Sequence, residues 1–493
     1  MKKIMKYIGL SFLACMFFAA CEDFLTEIPL DAYSVEGKYK TQADFTQAIA
    51  GVYSRNQALY ADHADWFSRV ILRADDSQNG GAYAYGFDQF TENSVDVAFL
   101  NNGWKGLYKI ISFSNLILDR IDAAQFTDAA LKDYIKGEAY MFRGYAYWML
   151  GWQFGGVPLY DKPVTTEEVL QIKRSTQAET FDFAIADYKR AIELLPEAWT
   201  GSNIGRVTKY AAAGMLARLY MFRGEFSQAK TYLTQVIQSG KYALATDYRD
   251  CFSEDHENDA ERVWSVQFMS GQSGEGQSFS SSALPQEAST SNPYMPFAGY
   301  ASAVRVSENM LAAYEPGDLR KEITTVTGLT ISGLLDTVSY WCIKYTYEVN
   351  TPLTQSDWGI DIPILRYTDI VMMYAEALNE EGYVAGGEAF QIVNEVRARA
   401  GLAPLDPAVV SDRDKFREAI KRERRVEFCW EGLRWLDLVR WGDAVRVMNE
   451  HFLHPDEGGG RYYMEPHQVL FQIPFDQLSR YNNTDILWQN PGY

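Results

Sequence analysis

Along most of the chain, apolar positions recur every three to four residues, the spacing of helices that bury one face. Phe45, Ile49, Val52 and Tyr53 form the first such stripe, behind Thr41, which is suited to cap a helix start. Trp104–Ile121 predicts a second helix, with Leu107, Ile110, Ile111, Leu116, Ile117 and Ile121 on broad apolar faces. Leu131–Leu150 predicts a third, dense in aromatic residues and stopped at Gly151 and the Gly155-Gly156-Val157-Pro158 breaker. Thr180–Leu195, Thr208–Arg223 and Glu225–Ser239 follow. Only Gly224 separates the last two, so they fold back on each other. Ala212, Leu216, Leu219 and Tyr220 then oppose Ala229, Tyr232, Leu233 and Val236. Such a pair is like a tetratricopeptide unit, although no regular repeat runs through the chain.

The helical pattern lapses between residues 240 and 340. Arg262–Phe268 predicts a strand, and Ser270–Tyr300 is a long stretch rich in Gly, Ser and Pro. A loop of that length inside a folded body is usually functional or mobile. Helices resume at Ser307–Tyr314, Leu365–Asn379, Glu388–Ala400 and Asp412–Arg446, and Leu470–Tyr493 reads as a short strand followed by loop. The fold class is therefore mainly α. Tetratricopeptide-like helix pairs form a scaffold over about 41–240 and 364–450, and an irregular, loop-rich region with short strands spans about 241–363.

The first twenty residues stand apart from this body. Lys2, Lys3 and Lys6 precede an apolar stretch, Ile8–Ala20, which is short for a membrane span and reads as a signal peptide. Ala19-Ala20 before Cys21 looks like a lipobox, which makes Cys21 the lipid attachment site and 21–493 the mature body; Cys15 fits the pattern less well. Loss of the leader takes the net charge from −19 to −22, since those residues hold three lysines and no acid. So acidic a surface repels phosphate backbones, which argues against nucleic acid as a partner. Cys251, Cys342 and Cys429 remain, an odd and scattered set that suggests neither a disulfide framework nor a zinc site, and Cys429 reads as a small buried hydrophobe. His451 and His454, with Asp456 and Glu457 nearby, lack a third histidine at metal spacing and read as a surface pair. No motif calls for a cofactor or a metal.

The C-terminal charges are the strongest motif. Glu423-Arg424-Arg425-Val426-Glu427-Phe428 leads to Glu431-Gly432 and Arg434-Trp435-Leu436-Asp437-Leu438-Val439-Arg440. Glu423, Glu427, Glu431 and Asp437 could be taken for a glycosidase pair, which needs an acid and a base across a cleft. Their alternation with arginines favours a structural ion-pair network. Upstream stand Leu365-Arg366-Tyr367-Thr368-Asp369-Ile370 and Val393-Asn394-Glu395-Val396-Arg397-Ala398-Arg399-Ala400-Gly401.

These three segments, in this order, resemble the SusD/RagB family of surface nutrient-binding lipoproteins. The lipobox, Asp23-Phe24-Leu25 with Pro29, and Tyr314-Glu315-Pro316-Gly317-Asp318-Leu319-Arg320 agree with that resemblance. Glu22 and Asp23 are similar to a surface-export signal. The family implies a tetratricopeptide-containing helical fold, a lipid anchor in the outer membrane facing the cell surface, and a SusC-like TonB-dependent transporter as partner. It also implies non-catalytic capture of oligosaccharide, or of peptide in some branches.

Sugar recognition needs flat aromatic faces together with amides and carboxylates for the hydroxyls. Two loop regions offer both. Asp75, Asp76 and Asn79 lead into Tyr83, Tyr85 and Phe87, with Trp66 upstream; Asn292, Tyr294 and Phe297 lead to Tyr300. These residues are the expected ligand contacts. A peptide binder would instead need an extended polar groove, and a glycosidase two carboxylates converging beside the aromatics.

Overall fold

The computed structural model describes residues 38–61, 73–79, 85–91, 94–285, 304–331, 333–346, 352 and 354–493. The expected helices form. In α1 (Gln42–Gln57), Thr41 Oγ1 accepts from the Asp44 amide and the Asp44 carboxylate accepts from the Thr41 amide, a reciprocal cap. α2 (Ser94–Arg120), α3 (Ala129–Phe154), α4 (Gln177–Leu194), α5 (Lys209–Phe222) and α6 (Phe226–Gln238) pack in succession. α6 then packs on α7 (Tyr367–Glu381), so the two halves of the scaffold meet although 128 residues intervene between Gln238 and Tyr367.

Two glycines set this packing. Gly224 at φ +70° makes the tight turn between α5 and α6, a conformation that side chains with a Cβ resist. Tyr220 and Tyr232 can then stack with centroids 5.9 Å apart and planes 14° from parallel. Gly151 does not end its helix, as the pattern suggested. A Cβ there would lie 2.7 Å from the Phe181 ring, so the glycine is what lets α4 lie close to α3, and α3 continues to Phe154.

The strands are β1 (Ser77–Asn79), β2 (Arg262–Val266), β3 (Val304–Val306), β4 (Thr325–Val326), β5 (Leu329–Ile331), β6 (Leu334–Asp336), β7 (Trp341–Cys342) and β8 (Ile362–Arg366). An antiparallel sheet runs in the order β1-β3-β7-β4; β2 pairs with β8, and β5 with β6.

Four expectations are corrected. Leu365–Arg366 belongs to a strand, because β2 has no other partner among the described residues and Arg262 faces Arg366 across the pair. After α8 (Glu388–Arg399), Asp412–Arg446 is not one helix but falls on three: α9 (Arg413–Glu427), α10 (Arg434–Arg440) and α11 (Ala444–His451). The break falls at Trp430 and Gly432, both left-handed at φ +65° and +74°. Its carbonyls are satisfied from outside, Cys429 O by Lys344 Nζ at 2.7 Å and Trp430 O by Tyr345 Oη at 3.2 Å. The C-terminal segment forms no strand among the described residues; it carries α12 (Phe475–Tyr481), and the Phe471 amide bonds Gln153 O at 2.7 Å. Finally, Ser307–Tyr314 is helical only over Glu308–Leu311.

No described helix is long and apolar enough to cross a membrane. Cys251, Cys342 and Cys429 are buried thiols. Cys21 lies outside the described residues.

Candidate functional site

The C-terminal carboxylates are consumed by the fold. Arg320 bonds Asp318, Glu423 and Glu427, with its Nη1 2.6 Å from Glu423 Oε1. Arg366 bonds Glu261 at 2.9 Å, Glu427 at 3.0 Å and Glu431 at 2.8 Å. Arg424 joins Asp369 at 2.7 Å to Asp437 at 2.9 Å, and Arg440 joins Asp437 to Glu376. The side chains of all these residues are buried. Burial alone would raise the Glu427 carboxyl, but Arg399, Arg366 and Arg320 outweigh it and hold it well below the usual range. Glu423, Glu427, Glu431 and Asp437 therefore face their cations rather than a cleft.

The same element roots the first loop region. Arg434 grips Asp75 through Nε and Nη2 at 2.7 and 3.0 Å, the bidentate geometry that makes guanidinium–carboxylate pairs strong. Arg425 reaches Asp75 at 2.9 Å and Asp76 at 2.8 Å. Burial opposes ionisation of Asp75, yet the two arginines hold its carboxyl below the usual range, whereas burial pushes Asp76 up. Ser307 completes the clamp: Oγ donates to Asp75 O at 2.6 Å and its amide to Asp76 O at 3.1 Å. Immediately beyond, β1 pairs with β3, and Asn79 faces Val304.

A second set of bonds roots the other segments. The Ser278 amide donates to Ala61 O at 2.7 Å, and Gln277 exchanges backbone bonds with Trp358. Trp358 Nε1 donates to Ser281 Oγ at 2.7 Å, and that hydroxyl donates to Gln355 O at 2.7 Å. Leu284, Leu329, Trp341, Ile343 and Trp358 form a small apolar cluster there, separate from the main core. Trp341 in turn faces Arg305 of β3.

Ala61, Asn79, Leu284 and Val304 are thus held by one connected set of contacts. Trp66, Tyr83, Asn292, Tyr294, Phe297 and Tyr300, all expected ligand contacts, lie outside the described residues. Asn79 ends β1 and Tyr85 opens the Tyr85–Gln89 helix.

Three expected contacts are corrected. Asp75 and Asp76 are each 2% exposed and bonded to Arg425 and Arg434, so they anchor the loop instead of offering carboxylates to a ligand. Phe87 is fully buried with its ring edge-on to Phe471 at 5.8 Å, and it belongs to the core. The signal for the clamp lay in the sequence: Arg425 and Arg434 are extra cations in the C-terminal motif that need partners from elsewhere. His451 and His454 are not a surface pair either. His451 is buried 3.4 Å from Glu457, while half-exposed His454 lies 3.5 Å from Glu308 and 3.7 Å from Asp456.

The buried carboxylates make stability depend on pH with a definite sign. Against the cost of burial, Arg424 and Arg218 hold Asp369 at about 2. A carboxyl held below its ordinary value of 3.8 stabilises the fold above that pH and yields this stability as pH falls through the folded value. Glu257, pushed up to about 7 by burial, acts in the opposite sense, contributing below 4.5 and losing that contribution as pH rises through 7. Thermal melts should therefore show a steep fall in Tm from about pH 4 towards pH 2. A flat profile across that window would contradict the arginine-held network.

A helical scaffold that spends its buried carboxylates on folding, and roots several loop segments together, has the build of a binding protein. Residues 245–493, just over half the chain, match the SusD family model. Residues 23–221 match a second one described as starch-binding associating with outer membrane. The chain belongs to the SusD family. It is 26% identical to SusD-like protein P25 of Formosa agariphila, over 97% of this chain and 96% of that one. Among solved structures, surface glycan-binding protein A from Bacteroides fluxus matches with TM-score 0.77 and 24% identity, over 92% of this chain and 100% of that one. Surface glycan-binding protein A from Bacteroides thetaiotaomicron, in complex with laminarihexaose, matches with TM-score 0.76 and 21% identity over the same shares.

Proposed function

We propose that this chain is a surface glycan-binding lipoprotein, anchored in the outer membrane through Cys21, that captures oligosaccharide and passes it to a SusC-like TonB-dependent transporter. It performs no catalysis. The observation that supports the reading is the β1–β3 pairing, which sets Asn79 opposite Val304, the residues that border the two aromatic-bearing stretches in sequence. The family supports it, as does a structural neighbour in complex with a glucan hexasaccharide. Tyr83 and Tyr294 then supply aromatic faces for the sugar ring, and Asn292 supplies hydrogen bonds to its hydroxyls.

Binding of this kind is moderate, because sugar hydroxyls exchange hydrogen bonds with water for equivalent ones with protein. The double variant Tyr83→Ala with Tyr294→Ala is expected to weaken polysaccharide binding about tenfold or more, or ~1.4 kcal/mol. Affinity electrophoresis reads this directly, with the melting temperature as a folding control. Undiminished retardation of the double variant would remove the site from these loops.

A further inference from the structure

Between the Asn309–Pro316 stretch and the corner formed by α9, α10 and α11 lies a recess of about 590 Å³. Its walls carry five cations, Lys421, Arg422, Arg425, Arg434 and Arg446, against three acids, Glu315, Glu418 and Asp443. That inverts the balance of the whole chain, which has 65 acidic and 46 basic residues.

Of the three acids, Glu315 is drawn away by Arg397 at 2.7 and 3.0 Å. Asp443 bridges Lys421 at 2.7 Å and Arg446 at 2.8 Å, Glu418 reaches Lys421 at 3.0 Å, and Glu450, outside the recess, reaches Arg446 at 3.1 Å. Behind the wall, Arg425 and Arg434 share Asp75 and Asp76. Arg422 is exposed and makes no ion pair or hydrogen bond among the described residues. Trp441, half-buried and fixed by its Nε1 bond to Glu376 Oε1 at 2.8 Å, adds an aromatic wall.

A guanidinium with no partner of its own, set among others, grips planar or tetrahedral oxyanions through paired N–H bonds. Together with the aromatic wall, this suits a ring that carries a negative group. We propose that the recess is a second sugar subsite selective for an acidic unit, a hexuronate or a sulfate ester, with Arg422 and Arg446 as its exposed anion contacts. The inference rests on the glycan-binding reading and narrows its substrate class. Arg425 ties the subsite to the loop root, since one guanidinium lines the recess and bonds Asp76.

The test is calorimetric titration of the mature chain with three hexasaccharides: an oligogalacturonate, a sulfated galactan fragment and laminarihexaose. At least one acidic ligand should bind, with an affinity that falls as salt is raised. Arg422→Ala combined with Arg446→Ala should weaken that binding about tenfold or more and leave any binding of laminarihexaose unchanged. Both guanidiniums are exposed, so the variant should melt like the parent. Which acidic ligand responds identifies carboxylate or sulfate. Binding of laminarihexaose alone, or acidic binding untouched by the double variant, would overturn the subsite while leaving the glycan reading intact. No binding by any of the three would count against both.

Discussion

Replacing Arg366 by methionine is expected to lower stability by at least about 3–5 kcal/mol, the cost of breaking a buried ion pair on one side. Its guanidinium is fully enclosed and donates to Glu261, Glu427 and Glu431, so its loss leaves three carboxylates facing one another across β8 and the α9–α10 turn. Against a typical net stability of about 5–15 kcal/mol, that is a large fraction. Arg399 and Lys344 remain as partial partners for Glu427 and Glu431, which keeps the effect short of complete neutralisation. Adding Glu261→Gln to the Arg366→Met variant should recover part of the loss, because Glu261 is left with only Arg399 as a described cation, at 3.6 Å, which keeps Glu427 as its own partner. Chemical denaturation of both variants checks this. An Arg366→Met protein as stable as the parent would mean that the network contributes nothing.

Replacing Asp75 by alanine is expected to act on stability and on binding together. It strands Arg434, whose only other described acid is Asp76 at 4.0 Å, and takes one of two carboxylates from Arg425. The stability cost is again about 3–5 kcal/mol. The binding effect comes through position: Asp75 lies two residues before β1, whose pairing with β3 sets Asn79 opposite Val304, beside the two stretches proposed to hold the sugar. Polysaccharide affinity should drop about tenfold in the variant although Asp75, enclosed by arginines, touches no ligand. Ser307→Ala should give a weaker version of the same result, since it removes the bond to Asp75 O and leaves the charges intact. Loss of stability with full retention of binding would separate the clamp from the site.

The helical scaffold was legible because its apolar spacing is local. Thr41, Gly224 and the stripes from Phe45 to Val236 specify helices without reference to distant residues. β8 was not legible for the opposite reason. Leu365-Arg366-Tyr367 continues the periodicity of α7, and only pairing with β2, about a hundred residues upstream, makes it a strand. The break after α9 turns on Trp430 in a left-handed conformation, which an aromatic residue adopts only when its surroundings fix it. Asp75 and Asp76 show the same limit at the site. An Asp-Asp-Ser-Gln-Asn run reads as a solvated loop ready for hydroxyls, and its arginine partners stand some 350 residues downstream. The recess between α9 and α11 is not visible in sequence because its cations alternate with acids there; only the fold sets Arg434 and Arg446 on the same walls as Arg422.

On the function proposed above, the chain captures glycan without cleaving it. Affinity electrophoresis of the mature protein, from Glu22 onward, through gels holding neutral and acidic polysaccharides tests this most directly, with the soluble fraction assayed for released reducing ends. Retardation by at least one polymer, with no released sugar, is the expected result. Free migration through every gel, or retardation accompanied by new reducing ends, would contradict it.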